Sequence, residues 1–219
     1  MARRGVVTAI MLVVTSCAFA ASAPVRISGQ RAVDASMPAV PRATHTVSVK
    51  LFHFSGSRWR ADDIVEALAR AAGLLSTCGV AVTGAVINEV EAPRRFHFYY
   101  TPLSRELLRT IRAPKPAVFF VEDTRNDPAF DAEAIGRSNS TTRPELADTI
   151  WVAYGSRDLP YAIAHELVHV LSDSGEHSEE PGNLMHDETA PQNSRLSSTQ
   201  CERLLTVGEA NGLLKPIAK

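Results

Sequence analysis

The residues His165-Glu166-Leu167-Val168-His169 carry the parts needed for metal-assisted hydrolysis: two imidazoles four positions apart and a carboxylate beside the first. On a helix, residues four apart stand one turn above the other, so both rings reach a common zinc ion at about 2.0–2.1 Å. Glu166 is offset from that line. The HExxH order is a zinc signature in which such a glutamate is the general base, taking a proton from water and later returning it to a leaving amine. A catalytic zinc has three protein ligands and keeps its fourth position for water, so a third group is required nearby. His177 is the first choice. Gly175 is expected to take the left-handed conformation that ends the helix and swings the chain back beneath the metal. Glu176, Glu179, Asp173 and His186 are the alternatives.

These groups need a rigid carrier. Pro160 to about Asp173 reads as a helix, with Pro in its first turn and Gly175 past its end. At about 100° per residue, Ile163, Leu167, Val170 and Leu171 form one apolar stripe, and His165 and His169 fall nearly opposite. The histidines are therefore expected to face away from the core.

Downstream, Pro181-Gly182-Asn183-Leu184-Met185 follows His177 closely. With HExxH and a later histidine, this resembles the metzincins, a clan of zinc peptidases whose pattern extends to a third His and a Met-containing turn. The resemblance implies that Met185 forms an apolar floor beneath the ligands; taken alone, it would read as a core methionine. In the clan, Gly and His stand three and six residues after the second histidine, where this chain has Ser172 and Gly175. His177 comes eight residues after His169, a turn two residues longer. The resemblance covers Thr149 to Leu205 well, and it implies a zincin-like twisted sheet with an active-site helix and a C-terminal helix. It also implies an edge strand that pairs with extended peptide substrate, for which Val118 to Glu122 is the candidate.

Other elements can be read from periodicity. Thr46 to Phe54 suggests a strand, Ala61 to Ser76 a helix, and Val80 to Val90 and Arg95 to Tyr100 two more strands. Leu103 to Ile111 reads as a short helix closed off by Pro114 and Pro116, Ala117 to Val121 and Thr149 to Tyr154 as strands, and Ser198 to Asn211 as the last helix. Glu122 to Pro144 is polar and irregular, with Gly136-Arg137-Ser138-Asn139-Ser140 at its middle, and reads as a long surface loop or edge segment bordering a cleft. Strands interspersed with helices and no internal repeat indicate a mixed α/β or α+β domain over residues 46–219.

The N-terminal 23 residues have the layout of an export leader: Arg3 and Arg4, an apolar run from Val6 to Val14, then small residues. That run is too short to span a bilayer comfortably. Val14-Thr15-Ser16-Cys17 also resembles a lipoprotein box, so Cys17 is the candidate lipid anchor, with cleavage after Ala20 or Ala23 as the other route. The mature protein is expected outside the cytosol, secreted or periplasmic. Residues 24–45, rich in Ala, Pro and Ser as far as Arg42, read as a linker or short pro-segment. In an oxidising compartment Cys78 and Cys201 are expected to form one disulfide.

With 23 basic and 24 acidic residues interspersed, the formal net charge of −1 argues against nucleic acid as a partner. His45, His53 and His97 are assigned to packing or surface roles. Tyr154, Tyr161 and His186 are near enough in sequence to donate to an oxyanion, though structural roles are the simpler reading. The acids Glu176, Glu179, Glu180, Asp187 and Glu188 read as a solvated rim rather than a calcium site. The leading expectation is a zinc peptidase acting on peptide or protein substrates. The alternatives are a zinc hydrolase of a non-protein amide and a surface-binding module that uses zinc for stability.

Overall fold

The structure, a computed structural model, describes residues 24–125, 134–137 as backbone, and 143–218. The residues read as a leader, Cys17 among them, and Ser138 to Ser140 lie outside the described residues. In chain order the elements are β1 (Arg26–Ala32), β2 (His45–Val47), β3 (Lys50–Phe54), α1 (Ala61–Leu75), β4 (Val80–Val82), β5 (Val86–Glu91), β6 (Phe98–Tyr99) and α2 (Thr101–Ile111). They continue with β7 (Ala117–Val121), β8 (Asp123–Thr124), β9 (Ala134–Arg137), β10 (Thr149–Ala153), α3 (Leu159–Ser172), α4 (Ser198–Ala210) and β11 (Leu214–Pro216). The fold is mixed α+β.

The main sheet has the order β1-β5-β3-β7-β10-β9. Its four inner strands are parallel to one another, whereas β1 and β9 run antiparallel at the two edges. Alternating side chains of the inner strands feed two cores. Leu51, Ile87, Val118, Phe120, Ile150 and Val152 pack with the apolar faces of α1 and α3. Phe52, Phe54, Val90, Phe119, Val121 and Trp151 pack with Tyr99 and with Leu107 and Leu108 of α2.

The second core has a stacked row across three strands. Phe119 lies 4.7 Å from Phe52 and 4.4 Å from Trp151 between ring centroids, and the three residues are direct partners in the strand register. Burying each such side chain contributes about 1.5–3 kcal/mol relative to exposure. This row ties β10, which leads into α3, to the middle of the sheet.

Several expectations are corrected. Val118 to Glu122 is not an edge: β7 lies between β3 and β10 and all five of its residues are buried. Its unbroken apolar run is what a parallel strand covered on both faces requires. The edge on the α3 side is β9, inside the polar stretch read as a long surface loop or edge segment, and the edge reading is the one the sheet bears out there. Residues 24–45 contain β1, which lacks a strand signature because nearly all its residues are exposed. It is held by its ladder to β5 and by the pairs Arg26–Glu91 and Gln30–Asn88.

The single strand expected over Thr46 to Phe54 is two, and β2 joins β4 and β11 in a separate small sheet. Val80 to Val90 likewise divides between the two sheets. Gly84, with φ of 62°, stands in the break between β4 and β5. Arg95 to Tyr100 is mainly a 3₁₀ turn, Arg94–His97, followed by the short β6.

Cys78, just past α1, is bonded to Cys201 in the first turn of α4, so the disulfide joins elements 123 residues apart in sequence. Among the described residues, no helix is long and apolar enough to cross a membrane.

Candidate metal centre

The helix that carries the HExxH residues begins where the chain turns away from β10. Asp158, with φ of 52°, makes that turn, and Pro160 occupies the first helical turn, where a missing N–H costs nothing. Every residue from Ala162 to Ser172 is buried. The expectation that the histidines face away from the core is thus only half right. The stripe containing Ile163, Leu167, Val170 and Leu171 meets the sheet and α1, but His165 and His169 are 3% and 9% exposed, because residues 174–185 close over the opposite face.

Three imidazoles meet at one point. The Nε2 atoms of His165 and His169 are 2.9 Å apart, those of His169 and His177 3.1 Å, and those of His165 and His177 3.3 Å. Among the described residues this is the only such cluster of three or more metal-ligating side chains.

The Nδ1 atoms decide what those contacts are. His165 Nδ1 is 2.8 Å from the carbonyl oxygen of Leu184, and His169 Nδ1 is 2.6 Å from that of Ser174. A carbonyl only accepts, so both Nδ1 atoms carry the proton and donate. His177 Nδ1 lies 2.5 Å from the Asp187 carboxylate and donates in the same way. In the neutral rings each Nε2 is then a bare lone pair, and three such lone pairs at these separations repel unless a cation lies among them. Ligands at about 2.0–2.1 Å in tetrahedral array stand roughly 3.3 Å from one another, close to the observed spacing. The donor set therefore fits a divalent metal that favours imidazole.

Electrostatics agree with that fit. Burial pushes His165 down to about 4, partly offset by its bond to Leu184, with further lowering from the neighbouring His169 and His177. Burial also lowers His169. Both rings are neutral at pH 7, the form that binds metal.

Of the candidates for a third group, His177 is the one whose ring lies with those of His165 and His169. Glu176 is paired with Arg203 at 2.6 Å, Glu179 is exposed, Asp173 caps α3, and His186 Nδ1 accepts the Glu188 amide at 3.2 Å. The chain reversal differs from expectation. Asp173, with φ of 45°, takes the left-handed position, and Gly175 is not among the positive-φ glycines. A reversal two residues nearer the helix follows, and the loop from Ser174 to Glu176 then carries the chain to His177.

Glu166 is buried on α3 next to His165. Met185 is also buried, and with Val168 and His177 it lines a cavity of about 200 Å³ between α3 and α4. The backbone N–H of Ser178 donates to the Met185 carbonyl at 2.8 Å, which joins the His177 loop to the turn around Met185.

Of the other expected residues, Tyr154 is half-exposed beneath the Arg58 guanidinium, 4.1 Å from its ring, and Tyr161 packs against the main core. His97 stacks on Phe54 at 4.8 Å, and His45 contacts Thr44 and Glu209. The partners that orient the rings, Leu184 O, Ser174 O and Asp187, were missed. Asp187 reads as one more rim acid, and no sequence spacing brings it to His177.

No family model and no curated protein sequence matches the chain. Among solved structures, the fold is similar to metalloproteinase-II from Bacteroides fragilis, with a TM-score of 0.53 and 18% sequence identity over 80% of this chain. The chain spans 60% of that protein's length, and at this identity the likeness is one of fold.

Proposed function

We propose that this protein is an exported zinc-dependent metallopeptidase that hydrolyses peptide bonds, with His165, His169 and His177 as the metal ligands and Glu166 as the general base. The observation that carries the reading is the convergence of three imidazole Nε2 atoms within 3.3 Å of one another on a fold similar to that of a metalloproteinase. A zinc ion held there supplies a water of lowered pKa and a Lewis acid for the scissile carbonyl.

The chain's own groups do the rest. Glu166, one position from His165 on a rigid helix, takes a proton from water and returns it to the departing amine. Its burial keeps the exchange away from bulk solvent. Met185 gives the ligand cluster an apolar floor. Among the described residues β9, the sheet edge nearest α3, pairs only with β10, and its other side offers main-chain partners to an extended peptide. Arg3, Arg4 and the apolar run from Val6 to Val14 support export, and the Cys78–Cys201 disulfide is consistent with an oxidising compartment.

The test is zinc stoichiometry together with cleavage of a peptide library. Wild type should bind one zinc and cut peptides in a chelator-sensitive manner. Glu166→Ala should keep the zinc and lose cleavage by at least about 100-fold, the scale of general-base catalysis. Undiminished cleavage in that variant would sink the assignment.

A further inference from the structure

The three histidines are not held alike. His165 and His169 stand on α3, are buried, and donate to main-chain carbonyls. His177 stands on a loop, with its side chain 42% exposed, and donates to the carboxylate of Asp187, itself 70% exposed. A helix turn fixes the first two rings. Nothing comparable fixes the third, whose backbone tie to the Met185 turn is the Ser178 N–H to Met185 carbonyl bond.

That turn also presents Asp187. The Asn183 side chain accepts the Met185 amide at 2.9 Å, and the His186 amide donates to the Asn183 carbonyl at 3.1 Å, so the backbone leading into Asp187 is tightly folded. The His177 loop and the Met185 turn are thus joined twice, once through backbone and once through the His177–Asp187 pair.

We propose that Asp187 is a positioning residue for the metal centre. Its carboxylate holds His177 in the Nδ1–H form, aims Nε2 at the point reached by His165 and His169, and makes the imidazole a stronger donor to metal. A carboxylate behind a metal-binding histidine fixes both tautomer and ring orientation, and removing such a partner weakens metal binding about 10–100-fold. The role suits this chain in particular, because its longer loop leaves the third ligand more freedom than the helix allows the other two. The proposal rests on the reading that the three histidines hold a divalent metal.

The experiment measures zinc affinity by competition with a chromophoric chelator, using the full chain and zinc alone as probe. Asp187→Ala should weaken zinc binding about 10–100-fold, with Asp187→Asn, which keeps an acceptor oxygen, falling between it and wild type. In a His177→Ala background, Asp187→Ala should change nothing further, and the metal-free melting temperature should be the same with and without it. Wild-type zinc affinity in Asp187→Ala overturns the proposal. So does an equal loss in the His177→Ala background, or a matching fall in metal-free stability. His165→Ala separates the two levels: if it binds zinc as tightly as wild type, the three-histidine site itself is wrong. If wild type binds zinc through these histidines yet cuts no peptide, the peptidase reading fails and the Asp187 comparison stands.

Discussion

Asn183 and Gln200 exchange two side-chain hydrogen bonds: Asn183 Nδ2 donates to Gln200 Oε1 at 3.0 Å, and Gln200 Nε2 donates back to Asn183 Oδ1 at 3.1 Å. Gln200 is also the third helical residue of α4, in a capping box with Ser197. The pair therefore fastens the start of α4 to the turn whose Leu184 carbonyl orients His165. Gln200→Ala removes the amide pair and half the capping box, and should lower stability by about 1–3 kcal/mol. Urea unfolding should show this as a lower midpoint at an unchanged slope.

Two glycines near the metal centre should respond in opposite ways. Gly175 lacks a positive φ and a Cβ there would meet nothing within 4 Å, so Gly175→Ala should alter stability by no more than about 0.5 kcal/mol. Gly182 has φ of +80°, and its added Cβ would lie 2.6 Å from the Arg195 side chain. Gly182→Ala should cost about 1–2 kcal/mol from the left-handed backbone alone. Thermal melts of the two variants check the contrast, and a large loss from Gly175→Ala would contradict the reversal at Asp173.

Glu122 supplies a pH dependence remote from the histidines. Burial raises its carboxyl pKa, but hydrogen bonds from the Arg58 backbone N–H and guanidinium, with the charges of Arg58 and Arg94, outweigh it and hold the group below the ordinary carboxylate value. Because the folded value is the lower one, the unfolded chain takes up the proton first as pH falls. The stabilisation is therefore complete above the unfolded value, about 4.3, and disappears as pH falls through the folded value. Glu122→Gln should cost about 1–3 kcal/mol at pH 7. The gap from wild type should close below pH 4 in urea titrations at stepped pH.

Losing the Cys78–Cys201 bond frees a loop 123 residues long in the unfolded chain. The loop-entropy relation gives about 4–5 kcal/mol for a closure of this length. The double variant Cys78→Ser/Cys201→Ser should show that loss by denaturant unfolding. A loss well under 2 kcal/mol would mean that the bridge constrains little.

Much of the candidate site was legible in the chain because it is local. The His165–His169 spacing, the helix that bears it, and its start at Pro160 depend on residues within two or three turns of one another. The strands Ala117–Val121 and Thr149–Ala153 were equally readable, since parallel strands covered on both faces are continuous apolar runs. The Cys78–Cys201 disulfide was expected from the two cysteines left once Cys17 was read as part of a leader.

What the tertiary structure alone decided is non-local. An edge strand is held by backbone ladders that leave little trace in side-chain pattern, so β1 was hidden, β9 was legible only as a loop or edge segment, and the interior β7 was mistaken for the substrate-pairing edge. That the His177 ring, and not Glu176, Glu179, Asp173 or His186, meets His165 and His169 depended on where a loop folded back, and Asp173 rather than Gly175 turned it. Asp187 meets His177 across a fold of the Met185 turn. Four-residue helical spacing dictates which groups share a face; only the packed chain dictates which loop closes over that face and which proton acceptors it brings.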